Sequence, residues 1–320
     1  MRLVHTLLTA AGVLLAGVAQ AQDYPSKQIR IIVPFTPGSA TDVMARIVGE
    51  RLNAAWGQPV VVENKPGAGG TIGIRDTARA DPDGYTLVLV SSGHAVNHVL
   101  YKDLGYDTLK DLSCVAMLGS LPSVLIVPPT SPANSVKDLV AMLKAKPGQY
   151  NYATAGVGSG AHVSIEKFNV AAGVKALHVP LKGTPPILTE TMSGRVEYAM
   201  VPAVSGMGPV RDGKVKPLAV TTSKRVAALP NVPTLGEAGF PGGESTFWLA
   251  LLAPVKTPAE IVNKVNAEVG RALNSHDVME RLAKLGTEPM SMTPAEADAF
   301  IRREYEDLGN VMRAAGLTPQ

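Results

Sequence analysis

Residues 28–52 read QIRIIVPFTPGSATDVMARIVGERL, and the fold is decided by how this stretch changes period. Polar and apolar residues alternate over 28–33 and give way to Pro34-Phe35-Thr36-Pro37-Gly38, which predicts a strand running into a loop. Met44, Ile47, Val48 and Leu52 then recur at i, i+3, i+4 and i+8, the spacing of one helical face. Ser39, Thr41 and Asp42 stand at the start of that helix, where short polar side chains cap free amides. The same order follows downstream: a strand over 59–63, a glycine loop over 66–70, a helix over 71–80, and a turn over 81–84 into an apolar strand over 85–90. Strands alternating with helices imply an α/β fold, a mostly parallel sheet wrapped on both faces.

The pattern then starts again. Strands are predicted over 123–127, 150–155, 174–180, 196–200 and 217–221, with helices over 135–146, from near His162, and over 187–192. One more apolar strand, 247–253, precedes helices over 258–275, 277–285 and 294–315. A terminal helical block packs most economically back on the first unit. The expected division is therefore a discontinuous first domain, 22–122 plus 245–320, around an inserted second domain, 123–244.

A balance of 30 Lys plus Arg against 27 Asp plus Glu, with 46% hydrophobic residues, describes a globular chain and gives no electrostatic reason to bind nucleic acid or an anionic membrane. The single cysteine, Cys114, excludes an internal disulfide and any multi-cysteine metal site, and is read as a small buried hydrophobe. Arg2, an apolar stretch over 7–18 broken only by Thr9, and Ala19-Gln20-Ala21 read as a cleaved Sec signal peptide, 1–21. The stretch is shorter than the roughly 20 residues of a spanning helix, and Cys114 is too far away for a lipid anchor. Export to the periplasm is the expectation.

Ligands of such sheets sit beyond the carboxyl ends of the strands, where helix N-termini present unpaired amides. Three places qualify: 35–42, 65–73 and 154–162. Gly38 and the glycines of the third loop permit close backbone approach, and Ser39, Thr154 and Ser159 add hydroxyls, a set that suits a carboxylate. The competing reading is that the glycines serve turn geometry and the hydroxyls only cap helices. Nucleotide readings fail on detail. Gly156, Gly158 and Ala161 lack an acid some 20 residues later, the 66–71 loop lacks the Gly-Lys-Ser/Thr ending of a P-loop, and Val157 stands where a hydrolase elbow needs glycine. His162 and Glu166, four residues apart, are too few for a metal site. Trp56 and Trp248 are expected in the core. Phe35, between two prolines, has little regular face to hide on and is expected to line the pocket.

The stretches 31–39 with Asp42 and Ala45-Arg46, 60–64 with Pro66-Gly67-Ala68-Gly69-Gly70, and Pro82-Asp83-Gly84-Tyr85-Thr86-Leu87 closely resemble the Bug (TctC-like) solute receptors of tripartite tricarboxylate transporters. The likeness continues through Pro147-Gly148, His178-Val179-Pro180, Lys182-Gly183, 218–221, 229–234, Glu237-Ala238-Gly239, Trp248 and Thr257-Pro258, in the family's order. The resemblance implies a two-lobed periplasmic binding protein, a Venus flytrap, that captures a small organic anion and delivers it to integral membrane permease subunits. No cofactor, metal or catalytic residue is implied, and a monomer is expected. Carried over, the ligand-binding residues are Phe35, Gly38 and Ser39 on one side, with Thr154, Gly158, Ser159 and His162 opposite. Ser92 and His94, after the third strand, are expected at the same cleft. Ser39 stands where the family commonly has glycine, Leu181 where it often has tyrosine, and Val201 where aspartate is common. Two other classes remain at this stage: an exported hydrolase or lyase with His94 or His162 as base, and a ligand-sensing partner of a membrane kinase.

Overall fold

A computed structural model of the chain describes residues 23–319; the expected signal peptide lies outside the described residues. The strand-loop-helix unit of the opening stretch is β1 (Ile29–Val33) followed by α1 (Ala40–Trp56). Then come β2 (Val60–Asn64), α2 (Thr71–Ala78), β3 (Thr86–Ser91), a 3₁₀ turn over Ser92–Val96, the one-turn α3 (Asn97–Leu100) and β4 (Leu112–Leu121). The second unit runs β5 (Ser123–Val127), α4 (Val136–Ala145), β6 (Asn151–Thr154), α5 (Gly160–Ala172), β7 (Leu177–Pro180), α6 (Thr184–Met192), β8 (Tyr198–Pro202), α7 (Ala203–Arg211) and β9 (Lys216–Val220). β10 (Phe247–Pro254), α8 (Ala259–Leu273), α9 (His276–Lys284) and α10 (Pro294–Ala314) complete it.

Two five-stranded sheets result, ordered β2-β1-β3-β10-β4 and β7-β6-β8-β5-β9. In the first, β1 pairs parallel with β2 and β3, and β10 runs antiparallel to β3 and β4. In the second, β6 pairs parallel with β7 and β8, and β5 runs antiparallel to β8 and β9. Each sheet thus has four strands in one direction and one reversed. The reversed strand is in both cases the one that arrives from the other sheet: β5 directly after β4, and β10 after the excursion through the second unit. The molecule is a two-lobed α/β fold.

Both faces of each sheet are covered, which is why the strands read as near-continuous apolar runs. In the first lobe Ile29, Ile31 and Val33 join Met44, Ile47 and Leu52 of α1 in one core, while Ile32, Val88 and Trp248 join Ile301 and Met312 of α10 on the opposite face. The second lobe repeats this with Leu125, Tyr152 and Tyr198 against Leu139 and Phe168, and Val124, Ile126 and Val201 against Ile187 and Met207. Trp248 is fully buried, and Trp56 packs edge-on at 6.0 Å from Tyr24. Sequence periodicity did not reveal β4 or α7. β4 carries Ser, Cys, Ala and Gly with no period-2 alternation, because both of its faces are covered. α7 contains two glycines and an internal Pro209, weak helix formers held by packing of Met207. The expected strand over 174–180 shortens to Leu177–Pro180.

Candidate functional site

The loop β1→α1 and the loop β6→α5 are built alike. Each ends in a glycine in left-handed conformation, Gly38 (φ 80°) and Gly158 (φ 75°), followed by an N-cap serine in extended conformation, Ser39 and Ser159. A helix start leaves four amides without intrahelical partners. On α1, Ser39 N–H donates to Thr36 O (3.2 Å) and Asp42 N–H to Ser39 Oγ (3.4 Å), which leaves Ala40 and Thr41 N–H as the unspent donors. On α5, Ser159 N–H donates to Gly156 O (3.1 Å) and His162 N–H to Ser159 Oγ (3.2 Å), which leaves Gly160 and Ala161.

All four of these residues, with both serines, line one cavity between the lobes. Ser91, Ala155 and Pro202 contribute to its wall, and Gly183 and Thr184 add the start of α6. Phe35 and Phe247 close it. The space open to the centre of a water molecule is about 20 Å³, against about 10–15 Å³ for one water. Among the described residues that form the wall, none is charged; the site's positive potential comes from helix ends.

Asp42 fixes the first loop from behind. It accepts from Gly38 N–H (2.9 Å), Arg46 (2.9 and 3.1 Å) and Asn64 Nδ2 (3.0 Å), and Asn64 Nδ2 also donates to Phe35 O (3.0 Å). Burial, the largest single influence, opposes its ionisation, but the Arg46, Gly38 and Asn64 hydrogen bonds together hold its pKa below the ordinary value. The lobes touch through backbone: Thr36 N–H donates to Lys182 O (3.1 Å), Tyr101 OH to Val157 O (2.8 Å) and Ser205 Oγ to Gly38 O (3.2 Å).

Of the residues singled out from sequence, Phe35, Ser39 and Ser159 lie in the cavity wall, with Gly38 and Gly158 immediately before the two serines. Phe35 also joins the apolar cluster of the second lobe, so it reaches across the cleft. The others stand behind the wall. Ser92 is fully buried beside Gly160, its Oγ without a hydrogen-bond partner among the described residues. Thr154 Oγ bonds His178 Nε2 (2.5 Å) and the Gly156 backbone. His162 accepts from Gly158 N–H at Nδ1 (3.2 Å) and stacks on His178 at 4.4 Å; burial first, and then the neighbouring His178, push its pKa down to about 3. His94 is not brought to this cleft. It lines a separate cavity within the first lobe, with Thr108, Cys114 and Asp298, and stacks on Tyr106. A 3₁₀ turn follows β3 at once and carries His94 away from the strand end, a turn that residue composition does not foretell.

Sequence reasoning missed Thr184 and Phe247 as wall residues. The signal for Thr184 was the Gly183-Thr184-Pro185-Pro186 run, a helix start with proline in its first turn. Phe247 opens the apolar run over 247–253 and carries no sequence signal beyond that of a strand.

The family model described as tripartite tricarboxylate transporter family receptor matches residues 44–317. The chain belongs to this receptor family. It is 38% identical over 319 residues to Protein BugT of Bordetella pertussis, covering 97% of both chains. The solved structure of R. palustris Rpa4515 with adipate superposes with a TM-score of 0.89 at 33% identity, over 93% of this chain and 100% of that one. MatC from Rhodopseudomonas palustris with bound malate gives 0.86 at 34% identity, over 90% and 99%. The chain is therefore a solute-binding receptor of the two-lobed periplasmic-binding-protein fold. No helix among the described residues is long and apolar enough to cross a membrane.

Proposed function

We propose that this receptor captures a small organic carboxylate in the cleft between its lobes and hands it, chemically unchanged, to the integral membrane permease subunits of a tripartite tricarboxylate transporter. The observation that carries the reading is the pair of unspent amides on each of α1 and α5, facing one cavity from opposite lobes, a geometry made for an anion. The relatives solved with adipate and with malate support the ligand class. The ligand contacts are Phe35, Gly38 and Ser39 on one lobe and Gly158 and Ser159 on the other, with Ser92, Thr154 and His162 supporting the wall from behind.

The way the reactive groups are engaged supports binding without catalysis. Ser159 Oγ faces the His162 amide and not its imidazole, and the imidazole is a buried acceptor for Gly158 N–H, so the two form no nucleophile and base. The lobes 22–122 plus 245–320 and 123–244 move as bodies about the two crossings at 121–123 and 244–247. The protein acts as a monomer in the periplasm after residues 1–21 are removed. Calorimetric titration with sodium carboxylates from acetate to adipate, each beside its amide, tests this: one acid binds at one site per chain, its amide does not, and the acid is recovered intact. Steady conversion of the acid would overturn the receptor reading.

A further inference from the structure

We infer that Asn97 and Thr36 set this receptor's affinity by opposing closure: each strands a polar atom in the seam when the lobes meet, so the empty receptor rests open and a captured acid must offset the cost. This rests on the two-lobed receptor reading above and deepens it.

The first ground is what these atoms face. Asn97, at the start of α3 in the first lobe, is fully buried; its Nδ2 donates to Tyr106 OH (3.3 Å), while its Oδ1 has no partner among the described residues. That oxygen lies against Gly158 of the second lobe, so close that a Cβ there would collide with it. Gly158 has no side chain to answer it, and its N–H is already given to His162 Nδ1 (3.2 Å). Thr36 repeats the arrangement. Its N–H crosses to Lys182 O (3.1 Å), yet its Oγ1 is buried against Gly183 with no partner among the described residues. Ser92 Oγ is stranded against Gly160 in the same way.

The second ground is the balance at the seam. None of the three residues lines the cavity, so closure buries their polar atoms away from the site where an acid is held. When the lobes part, water reaches them again. Closure also forms bonds between the lobes, from Thr36 N–H, Tyr101 OH and Ser205 Oγ. A bond exchanged for one to water nets little, whereas a polar group buried without a partner forfeits its hydration outright. The seam therefore holds the empty form open, and the amides of α1 and α5 supply the difference only when an anion joins them.

Calorimetry with sodium malate, sodium adipate and the shorter acids, beside small-angle scattering from the empty proteins, tests this on Asn97→Ala, Thr36→Ala and Asn97→Asp. The alanine variants should bind the acid that the wild type binds tighter by roughly 5-fold or more, since apparent affinity rises with the closed fraction. Their empty radius of gyration should fall below that of the empty wild type. Asn97→Asp keeps the shape, places a charge in the seam and should bind more weakly. The Tyr106 bond lost in Asn97→Ala lies within one lobe and is lost equally open or closed, so it lowers the urea midpoint without moving closure. Alanine variants that bind no tighter than the wild type, or an empty Asn97→Ala as expanded as the empty wild type, would overturn the inference and leave the receptor reading standing. Failure of the wild type to bind any of the acids would strike the carboxylate reading instead, and the empty radii would still decide this one.

Discussion

Ser39 and Ser159 hold equivalent stations in the cavity wall, each accepting from the third amide of its helix through Oγ, and Ser39 Oγ also shares a hydrogen bond with Thr41 Oγ1 (3.0 Å). A hydrogen bond to a charged group is worth about 1.5–3 kcal/mol, so Ser39→Ala or Ser159→Ala should each weaken carboxylate binding roughly 10- to 100-fold. Each also loses a helix cap at about 1 kcal/mol of folding stability. Calorimetry beside urea midpoints separates the two losses, and wild-type affinity in both variants would place the site elsewhere. At this scale the residue types were legible and their directions were not. The Gly-Ser sequences before two helix starts announced the amides. Ser91 and Ser92 are adjacent in sequence, yet one lines the cavity and the other backs it, and His94 belongs to a different cavity. Side-chain direction after a strand end depends on the turn that follows, and composition does not encode that turn.

Beneath the second binding loop three elements are joined by stacked rings: His162 of α5 on His178 of β7 at 4.4 Å, and His178 on Tyr152 of β6 at 5.0 Å. Tyr152 OH donates to the buried Glu166, which Asn169 Nδ2 also supports at 3.2 Å, and burial raises the Glu166 pKa. Burial pushes His162 down to about 3 and His94 to about 4. Both therefore stay neutral in the folded state between pH 7 and 5, while the unfolded chain takes up protons below about pH 6.5. Stability is intact above that value and falls as pH falls, by up to about 2 kcal/mol for each of these imidazoles between pH 7 and 5. Glu166 works in the opposite sense, losing stability as pH rises through its folded value. Urea unfolding at the two pH values should show the histidine loss, and His162→Gln should shrink it by about 2 kcal/mol. An unaltered difference in the variant would mean that the imidazole is not held neutral. In this lobe α4 was readable from period, since it buries the single stripe Val136, Leu139, Val140 and Leu143, whereas α5 is buried on most sides and was announced only by its Gly-Ser start. β4 and α7 were not readable, because their residues follow tertiary packing against local propensity.

Across the whole molecule the two lobes repeat one plan, and they meet through glycine. Gly93 lies against the Gly158–Gly160 backbone, where a Cβ would collide with Gly158 O and stand 2.6 Å from the Ser159 carbonyl carbon. Gly69 and Gly156 approach each other in the same way. Among the described residues the chain passes between the two sheets at Pro122, between β4 and β5, and near Ser245, before β10. Ser245 N–H and Ser123 N–H both bond Thr221, so the crossings are tied side by side. The two-unit plan was legible in the repeated strand-loop-helix order. The intimacy of the interface was not, because a glycine needed for a turn and one needed for contact look the same in sequence. The proposed ligand contacts are divided between the lobes, and a ligand shifts an open-to-closed equilibrium only by its different affinity for the two states. Small-angle scattering of the wild type and of Gly93→Ala, each with and without the carboxylate that calorimetry selects, is the most direct test of the clamp. The account predicts that the wild-type radius of gyration falls at saturation, while Gly93→Ala stays folded, keeps the larger radius and binds weakly. An unchanged wild-type radius on demonstrated binding would contradict it.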